Sequence, residues 1–175
     1  TGGIGYHVAK MINIYKPILI ICGKKKEKVK KVVSELKRVN DNVHGIYMDL
    51  SKKNGGKKLI EKIYKKVRTV DILINNAMTK DGARFLLYKK YDNWLDEINV
   101  NVNSTILLSQ EIGYKMKMRK VKGRIINISS SAVKESTTRS KTGSEIIMEN
   151  IVEKYSNLLS DELFDNKVAV TTIRI

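Results

Sequence analysis

The sequence predicts an α/β protein in which a mostly parallel, doubly wound sheet is covered by helices on both faces. Two observations lead to this fold class. Short apolar runs alternate along the whole chain with longer segments whose apolar residues recur every three to four positions, which is the pattern of successive βαβ units. Glycines also cluster where the first helical segment begins, and such a cluster lets a backbone pass close to a phosphate group.

The elements follow one another in a regular order. Five short apolar runs predict the strands, at 18–22, 44–48, 70–74, 124–128 and 168–173. Apolar residues at helical spacing predict helices between them, and Pro17 ends the first helix because proline has no amide hydrogen to donate. Ligands of parallel α/β sheets bind beyond the carboxyl ends of the strands. We therefore expect the functional residues at these strand ends.

Length and composition limit the class of protein. The 175 residues, of which 42% are hydrophobic and 30% charged, predict one globular domain spanning 1–175. The single cysteine, Cys22, excludes an internal disulfide framework and a cysteine-built zinc site, and it fits a reducing intracellular compartment. No metal site is predicted. No apolar run reaches the length needed to cross a bilayer, so no membrane partner is expected.

The formal net charge of +16 raises the question of a polyanionic partner. The lysines are spread over several predicted helices, where they alternate with apolar residues. This distribution is typical of solvated helix faces rather than of one basic stripe. We therefore do not expect nucleic acid as a partner. A basic nucleic-acid-binding domain stays an alternative that the salt dependence of binding would decide.

The glycine cluster predicts a dinucleotide site. Gly3, Ile4 and Gly5 open a helix, and a helix start offers unpaired N–H groups and the positive end of the helix dipole to a pyrophosphate. Taken alone, such a cluster is also compatible with an ordinary turn. A strand and a basic turn follow it in the order that a dinucleotide-binding unit requires.

Five segments resemble, in family order, the motifs of the short-chain dehydrogenases/reductases. They are 1–5, 49–50, 75–77, 100–102 and 123–130. The resemblance implies a Rossmann-like fold in which Asp49 and Leu50 contact adenine and in which Asn76 and Ala77 belong to the cofactor site. It also implies that Asn101 is the catalytic asparagine. Structural roles remain open for single residues, since Asp49 could cap a helix, Asn76 could form a turn and Asn101 could make a local backbone bond.

The turn after the strand at 18–22 bears on the choice of cofactor. It reads Gly23-Lys24-Lys25, without a carboxylate. A carboxylate there holds the ribose 2′-hydroxyl of NAD, whereas lysines attract a 2′-phosphate. We therefore predict NADP(H) as cofactor. The alternative is that both lysines belong to the general lysine background of the chain.

The resemblance implies hydride transfer between nicotinamide and a carbonyl or secondary alcohol. Segment 79–81 is similar to β-ketoacyl-acyl-carrier-protein reductases, which makes a 3-oxoacyl group, as a small molecule or bound to an acyl carrier, the expected substrate. A general carbonyl reductase is the alternative. Ser130 matches the catalytic serine, and Lys141 matches the catalytic lysine, which also contacts the cofactor. The position of the catalytic tyrosine falls on Thr137, whose hydroxyl does not titrate usefully.

Two interpretations of the threonine at the tyrosine position, Thr137, stay open. The protein is either an NADP-binding pseudoenzyme, or an active enzyme whose sequence here lacks residues that include the tyrosine. The resemblance also implies a strand before Thr1, placed between the strands at 18–22 and 70–74, and a further segment after Ile175. We therefore expect the domain to be incomplete at both ends.

The last helix predicts an assembly. Its apolar residues cover more than one narrow stripe, and Met148 and Val152 lie one turn apart. We expect these two residues to face outward and, together with the helix after Asn101, to form the interface of a homo-dimer or homo-tetramer.

Overall fold

The helices and strands occur in the predicted order. The computed structural model describes residues 3–80, 85–129 and 143–175. Its α-helices and strands are α1 (Gly3–Asn13), β1 (Leu19–Gly23), α2 (Lys26–Leu36), β2 (Val43–Tyr47), α3 (Gly55–Tyr64), β3 (Ile72–Asn75), α4 (Tyr91–Glu97), α5 (Ser104–Met118), β4 (Arg124–Ser129), α6 (Gly143–Leu163) and β5 (Ala169–Arg174). A π-helical turn, Ile98–Asn103, joins α4 to α5, and short 3₁₀ turns lie at Leu86–Tyr88 and Phe164–Asn166.

All strand pairs are parallel, as predicted for a doubly wound sheet. β1 pairs with β2, and β3, β4 and β5 form a second group in that order. In the part of the chain that the structure describes, no strand joins β1 to β3. The sheet is thus divided at the place where the resemblance puts an additional strand.

The core shows that helices cover both faces of the sheet. Ile20 and Cys22 of β1 contact a cluster built on Ile46, Ile112 and Ile125, and this cluster includes side chains of α3, α5 and α6. The alternate β1 residues, at 19 and 21, pack instead with residues of α1 and α2. Successive side chains of a strand point to opposite faces. The two clusters therefore lie on opposite faces, and the first of them holds both groups of strands together.

The predicted orientation of Met148 and Val152 is wrong. Met148 is 2% exposed and Val152 is 7% exposed, and both pack against Val102. The reason is that α6 contacts the π-helical turn and α5 in addition to the sheet, so that it needs a wide apolar face. The apolar side chains of α6 that do face solvent lie on another stripe: Ile147, Ile151 and Leu158.

Candidate functional site

The carboxyl ends of β1 and β2 place a lysine against a carboxylate. The two strands pair in register up to Gly23, whose carbonyl accepts a hydrogen bond from the Met48 amide. The next residue on one side is Lys24, and its Nζ lies 3.1 Å from Oδ2 of Asp49 on the other. The predicted residues Lys24 and Asp49 are therefore direct neighbours.

Asp49 is held by more than the lysine. Its Oδ1 accepts hydrogen bonds from the backbone N–H and the hydroxyl of Ser51, at 3.0 and 2.9 Å. Burial by itself would raise the pKa of the Asp49 carboxyl, but the bonds from Ser51 and the charge of Lys24 outweigh it and leave this pKa below its ordinary value. Because α3 begins only at Gly55, these bonds are not those of a helix cap.

The first turn of α1 meets the end of β3. Gly3 has φ +57°, in the left-handed region that favours glycine. A Cβ atom added at Gly5 would lie 2.6 Å from the side-chain nitrogen of Asn76. Gly5 thus leaves space for the Asn76 side chain beside a helix N-terminus, and two motifs that are far apart in sequence meet there.

The neighbouring asparagine, Asn75, points into the protein instead. Its Nδ2 donates to Ser109 at 3.0 Å and to Oδ1 of Asn127 at 2.8 Å. Asn127 in turn donates to the hydroxyl of Ser156 at 2.7 Å. This buried chain of hydrogen bonds joins β3, β4, α5 and α6. Asn127 is not among the residues predicted from the sequence, although a polar residue between Ile126 and Ile128 of a buried strand was a signal for it.

Asn101 lies in the π-helical turn and makes long-range bonds. Its Oδ1 accepts from the backbone N–H of Thr79, and its Nδ2 donates to the carbonyl of Thr79, both at 2.8 Å. Both bonds therefore join Asn101 to a residue outside its own helix, in contrast to the alternative of a local backbone bond. Irregular π-helical turns are frequent at functional sites, and here the turn brings Asn101 to the chain that leaves β3.

These elements enclose a pocket beyond the ends of β3 and β4. Asn75, Ala77, Asn101 and Ser129 belong to the strand-end side of its lining. The other wall is α6, which presents four residues at helical spacing: Glu145, Met148, Glu149 and Val152. The pocket therefore unites the predicted residues Ala77 and Asn101 with a face of α6.

The wall formed by α6 is acidic. Glu145 is buried, and its carboxylate forms an ion pair with Lys80 at 3.7 Å. Among the described residues, no tyrosine lines this pocket. Tyr155, on the same helix, donates instead to the carbonyl of Ile106 at 3.3 Å. Glu145 and Glu149 are not among the residues predicted from the sequence. Their spacing of four residues, which places both on one face of a helix, was the signal that could have indicated them.

The other predicted site residues have different environments. Ile4 is 44% exposed on α1, whereas Leu50 is half-buried and packs against the main core. Lys25 is the N-cap of α2, and its side chain makes no capping hydrogen bond. Ser130, Thr137 and Lys141 lie outside the described residues. Their predicted roles stay predictions.

Cys22 lies directly before the turn that carries Lys24. Burial raises the pKa of its thiol to about 11, so the thiol is protonated at neutral pH and is a poor nucleophile. In the described part of the chain, no group of three or more His, Cys, Asp or Glu side chains is arranged to hold a metal ion. None of the described helices is both long enough and apolar enough to cross a membrane.

Comparisons with known proteins agree with the parallel α/β fold. A family model described as short chain dehydrogenase matches residues 1–142. The chain belongs to the short-chain dehydrogenase/reductase family. It is 34% identical to the 3-oxoacyl-(acyl-carrier-protein) reductase FabG of Aquifex aeolicus (strain VF5) over 131 residues, which are 74% of this chain and 52% of that protein.

Two further comparisons extend this result. Nodulation protein G of Rhizobium sp. (strain N33) is 35% identical over 131 residues, which are 74% of this chain and 51% of that protein. The chain thus spans about half the length of these curated relatives. A crystal structure of a metagenomic short-chain oxidoreductase in complex with NADP superposes with a TM-score of 0.90 at 22% identity, covering 99% of this chain and 76% of the other. At that identity the superposition shows the fold alone.

Proposed function

We propose that the chain is part of an NADP(H)-dependent reductase that transfers hydride between nicotinamide and a carbonyl group or secondary alcohol. The observation that carries this proposal is the meeting of the glycine-rich start of α1 with Asn76 at the end of β3. A helix N-terminus without side chains in the way is suited to a pyrophosphate. The similarity to a 3-oxoacyl-(acyl-carrier-protein) reductase supports the same class of reaction.

The residues present fit such a cofactor. The backbone of Gly3, Ile4 and Gly5 would hold the pyrophosphate, since these residues form the first turn of α1 and a helix start offers unpaired N–H groups. Asp49 and Leu50 would contact the adenine, and Asn76 and Ala77 would contact the part of the cofactor nearest β3. Lys141 would contact the nicotinamide ribose. When bound, the cofactor supplies or accepts the hydride.

The choice of NADP(H) over NAD(H) depends on the turn after β1. Lys24 and Lys25 stand there without a carboxylate of the same turn. Lys24 is 63% exposed, although its Nζ also pairs with Asp49. Lys25 is the N-cap of α2, where the helix dipole also favours an anion. The exposure of Lys24 and the position of Lys25 support recognition of a 2′-phosphate.

Paired substitutions test this choice. Replacing Lys24 and Lys25 by alanine should weaken NADPH binding by about 10- to 150-fold, as expected for a charged contact of ~1.5–3 kcal/mol. NADH binding should change little. The matched control is Lys28→Ala with Lys31→Ala, which removes the same charge from exposed positions within α2. Equal losses for both cofactors would show that Lys24 and Lys25 are background charge.

On the reaction side, Asn101 holds Thr79 at the pocket through two hydrogen bonds. Ser130 and Lys141 are the proposed catalytic partners, as the family resemblance implies. We propose a 3-oxoacyl thioester, bound to an acyl carrier or free, as the substrate. Steady-state oxidation of NADPH with an acetoacetyl thioester tests this directly, and turnover of simple ketones alone would favour a general carbonyl reductase.

A second candidate is an NADP-binding pseudoenzyme. The observation that favours it is the α6 wall, where Glu145 and Glu149 line the pocket and no described tyrosine does. A phenol tuned by a nearby cation is the usual acid of this chemistry in the resembled family. Tight NADPH binding without turnover of any carbonyl tested would support the pseudoenzyme and refute the reductase.

We also propose that the protein forms a homo-dimer or homo-tetramer within a reducing intracellular compartment. The supporting observation is the exposed apolar stripe of α6, where Ile147 and Ile151 are 39% and 42% exposed and Leu158 is 55% exposed. These positions share one face of the helix. Light scattering of the parent and of an Ile147→Glu, Ile151→Glu variant tests the interface. A monomeric parent would contradict it.

A further inference from the structure

A buried ion pair lies at the end of α4. Nζ of Lys89 is 2.9 Å from Oε2 of Glu97, and the two side chains are only 3% and 2% exposed. The same carboxylate oxygen accepts a hydrogen bond from the hydroxyl of Ser144 at 2.9 Å. Ser144 is itself 1% exposed. None of these three residues belongs to a motif that the sequence analysis singled out.

The position of Glu97 gives this cluster its significance. Glu97 is the last residue of α4, and the π-helical turn that carries Asn101 begins at the next residue. Ser144 is the second residue of α6, directly before Glu145, which lines the pocket. One carboxylate therefore links the segment that carries Asn101 to the first turn of the opposite wall.

Polar contacts help to attach the first turn of α6 to its neighbours. Besides the bond from Ser144 to Glu97, it has the Glu145–Lys80 ion pair, at 3.7 Å, and Gly143 lies close against Leu86. A hydrogen bond to an ionised acceptor is stronger and more directional than one between neutral groups. A buried carboxylate must also keep its partners, because leaving a charge unpaired inside a protein is costly. The bond to Glu97 thus fixes this turn more firmly than a neutral contact would.

We propose that Glu97 is a positioning residue for the substrate pocket: through Ser144 it sets the distance between the α6 wall and Asn101. This inference rests on the proposed function for its kinetic consequence, but the attachment itself does not. The adenosine side of the proposed cofactor site is built from α1, β1, β2 and their turns. It should therefore be insensitive to the attachment.

Ser144 offers the cleanest test, because substitution of Glu97 would leave Lys89 buried without its partner and could prevent folding. Ser144→Ala removes the bond to α6 and keeps the ion pair, and Ser144→Thr restores a hydroxyl. The matched control is Ser156→Ala, since Ser156 is also a buried serine of α6, 2% exposed, and is hydrogen-bonded to Asn127 far from the first turn.

Two measurements are made on each variant. Hydrogen exchange of amides 145–149 should become about 10-fold faster in Ser144→Ala, the factor expected when a bond to a charged acceptor is lost. The KM for an acetoacetyl thioester should rise by a similar factor, with the NADPH dissociation constant unchanged. Ser144→Thr should recover both values, and Ser156→Ala should change neither, although its midpoint of urea unfolding falls.

The outcomes distinguish the attachment of α6 by Glu97 from the effect of that attachment on substrate binding. Unchanged exchange in Ser144→Ala overturns the attachment. Faster exchange with an unchanged KM overturns the positioning role. If the parent turns over no 3-oxoacyl thioester, the proposed substrate fails, and if it turns over no carbonyl compound, the proposed function fails. In both cases the comparison of exchange in Ser144→Ala and Ser156→Ala still supports or overturns the attachment by Glu97.

Discussion

The two sides of the candidate site differ in how they are built. The proposed cofactor side consists of the start of α1 and the residues that follow β1 and β2. There Gly5 leaves space for Asn76, and Lys24 pairs with Asp49. On the substrate side, the walls are the π-helical turn with Asn101 and the face of α6 with Glu145. These walls come from segments that are distant in sequence and joined by buried polar contacts.

This difference explains why the family pattern is easy to recognise on one side and altered on the other. A pyrophosphate needs backbone N–H groups and free space, which glycines provide in any sequence context. Proton transfer to a substrate needs particular side chains at particular distances. Gly5 leaves the start of α1 without a side chain at that position. On the other side, the position of the family's tyrosine falls on Thr137, and Glu145 and Glu149 line the pocket. The following predictions test whether the two sides are as independent as this comparison suggests.

The largest effect is expected from Gly5→Val. A branched side chain would displace Asn76, because even a Cβ would lie 2.6 Å from its Nδ2, and it would cover the N-terminus of α1. The affinity for NADPH should fall by at least ~100-fold, about 2.7 kcal/mol, as measured by isothermal titration calorimetry. Gly45→Ala is the control, since it crowds Val29 at 2.8 Å without touching the site. An affinity within threefold of the parent would refute the proposed pyrophosphate site at the start of α1.

Asn127→Ala should have the next largest effect, on stability. Asn127 is 1% exposed and bonds to Asn75 and Ser156 at 2.8 and 2.7 Å. Its loss leaves buried partners unsatisfied, so the free energy of unfolding should fall by about 2–4 kcal/mol. Urea unfolding measures this. A loss below ~1 kcal/mol would mean that water replaces the side chain.

Glu145→Gln should separate the two sides directly. It removes a buried charge from the pocket wall and weakens the contact with Lys80. Turnover of a 3-oxoacyl thioester, as kcat/KM, should change about 10-fold, the usual scale for one charged contact. Binding of adenosine 2′,5′-bisphosphate, which reports the cofactor side alone, should stay the same. A parallel change in both would show that the sides are coupled.

The smallest effect concerns acid. The folded state lowers the pKa of Asp49, so its contribution to stability is present above the unfolded pKa of ~3.9 and is lost as the pH falls through the folded value. The contribution should be below ~1 kcal/mol, because Lys24 is exposed. Urea unfolding between pH 3 and pH 6 should show a shallower acid loss in Asp49→Asn than in the parent. Asp41→Asn, on an exposed loop, should leave the profile unchanged.

The fold could be predicted almost completely from the sequence. Each strand begins within two residues of its predicted start, because continuous apolar runs are characteristic of buried parallel strands. The pairing of Lys24 with Asp49 was also within reach, since both follow neighbouring strands. These features depend on local pattern and on the general rule for strand ends.

The features that were missed depend on tertiary packing. Met148 and Val152 are buried because α6 contacts the π-helical turn, which no local pattern announces. Similarly, the sequence shows Glu97 only as one of several charged residues in a helix. The structure shows that it is buried and that it contacts Lys89 and Ser144. Sequence spacing gives the face of a helix, but it does not tell which neighbours cover that face.

The π-helical turn between α4 and α5 has a consequence for insertions and deletions. An α-helix advances about 100° per residue, and the wider turn at Ile98–Asn103 takes up extra backbone within an otherwise continuous helical stretch. Deleting one residue there would let the stretch become a regular α-helix, and Asn101 would lose the wide turn that brings it to Thr79. Because the wide turn absorbs that residue locally, α4 and α5 would keep their relative rotation and Glu97 would still face Ser144. Such a deletion would therefore remove one of these two contacts and leave the other in place.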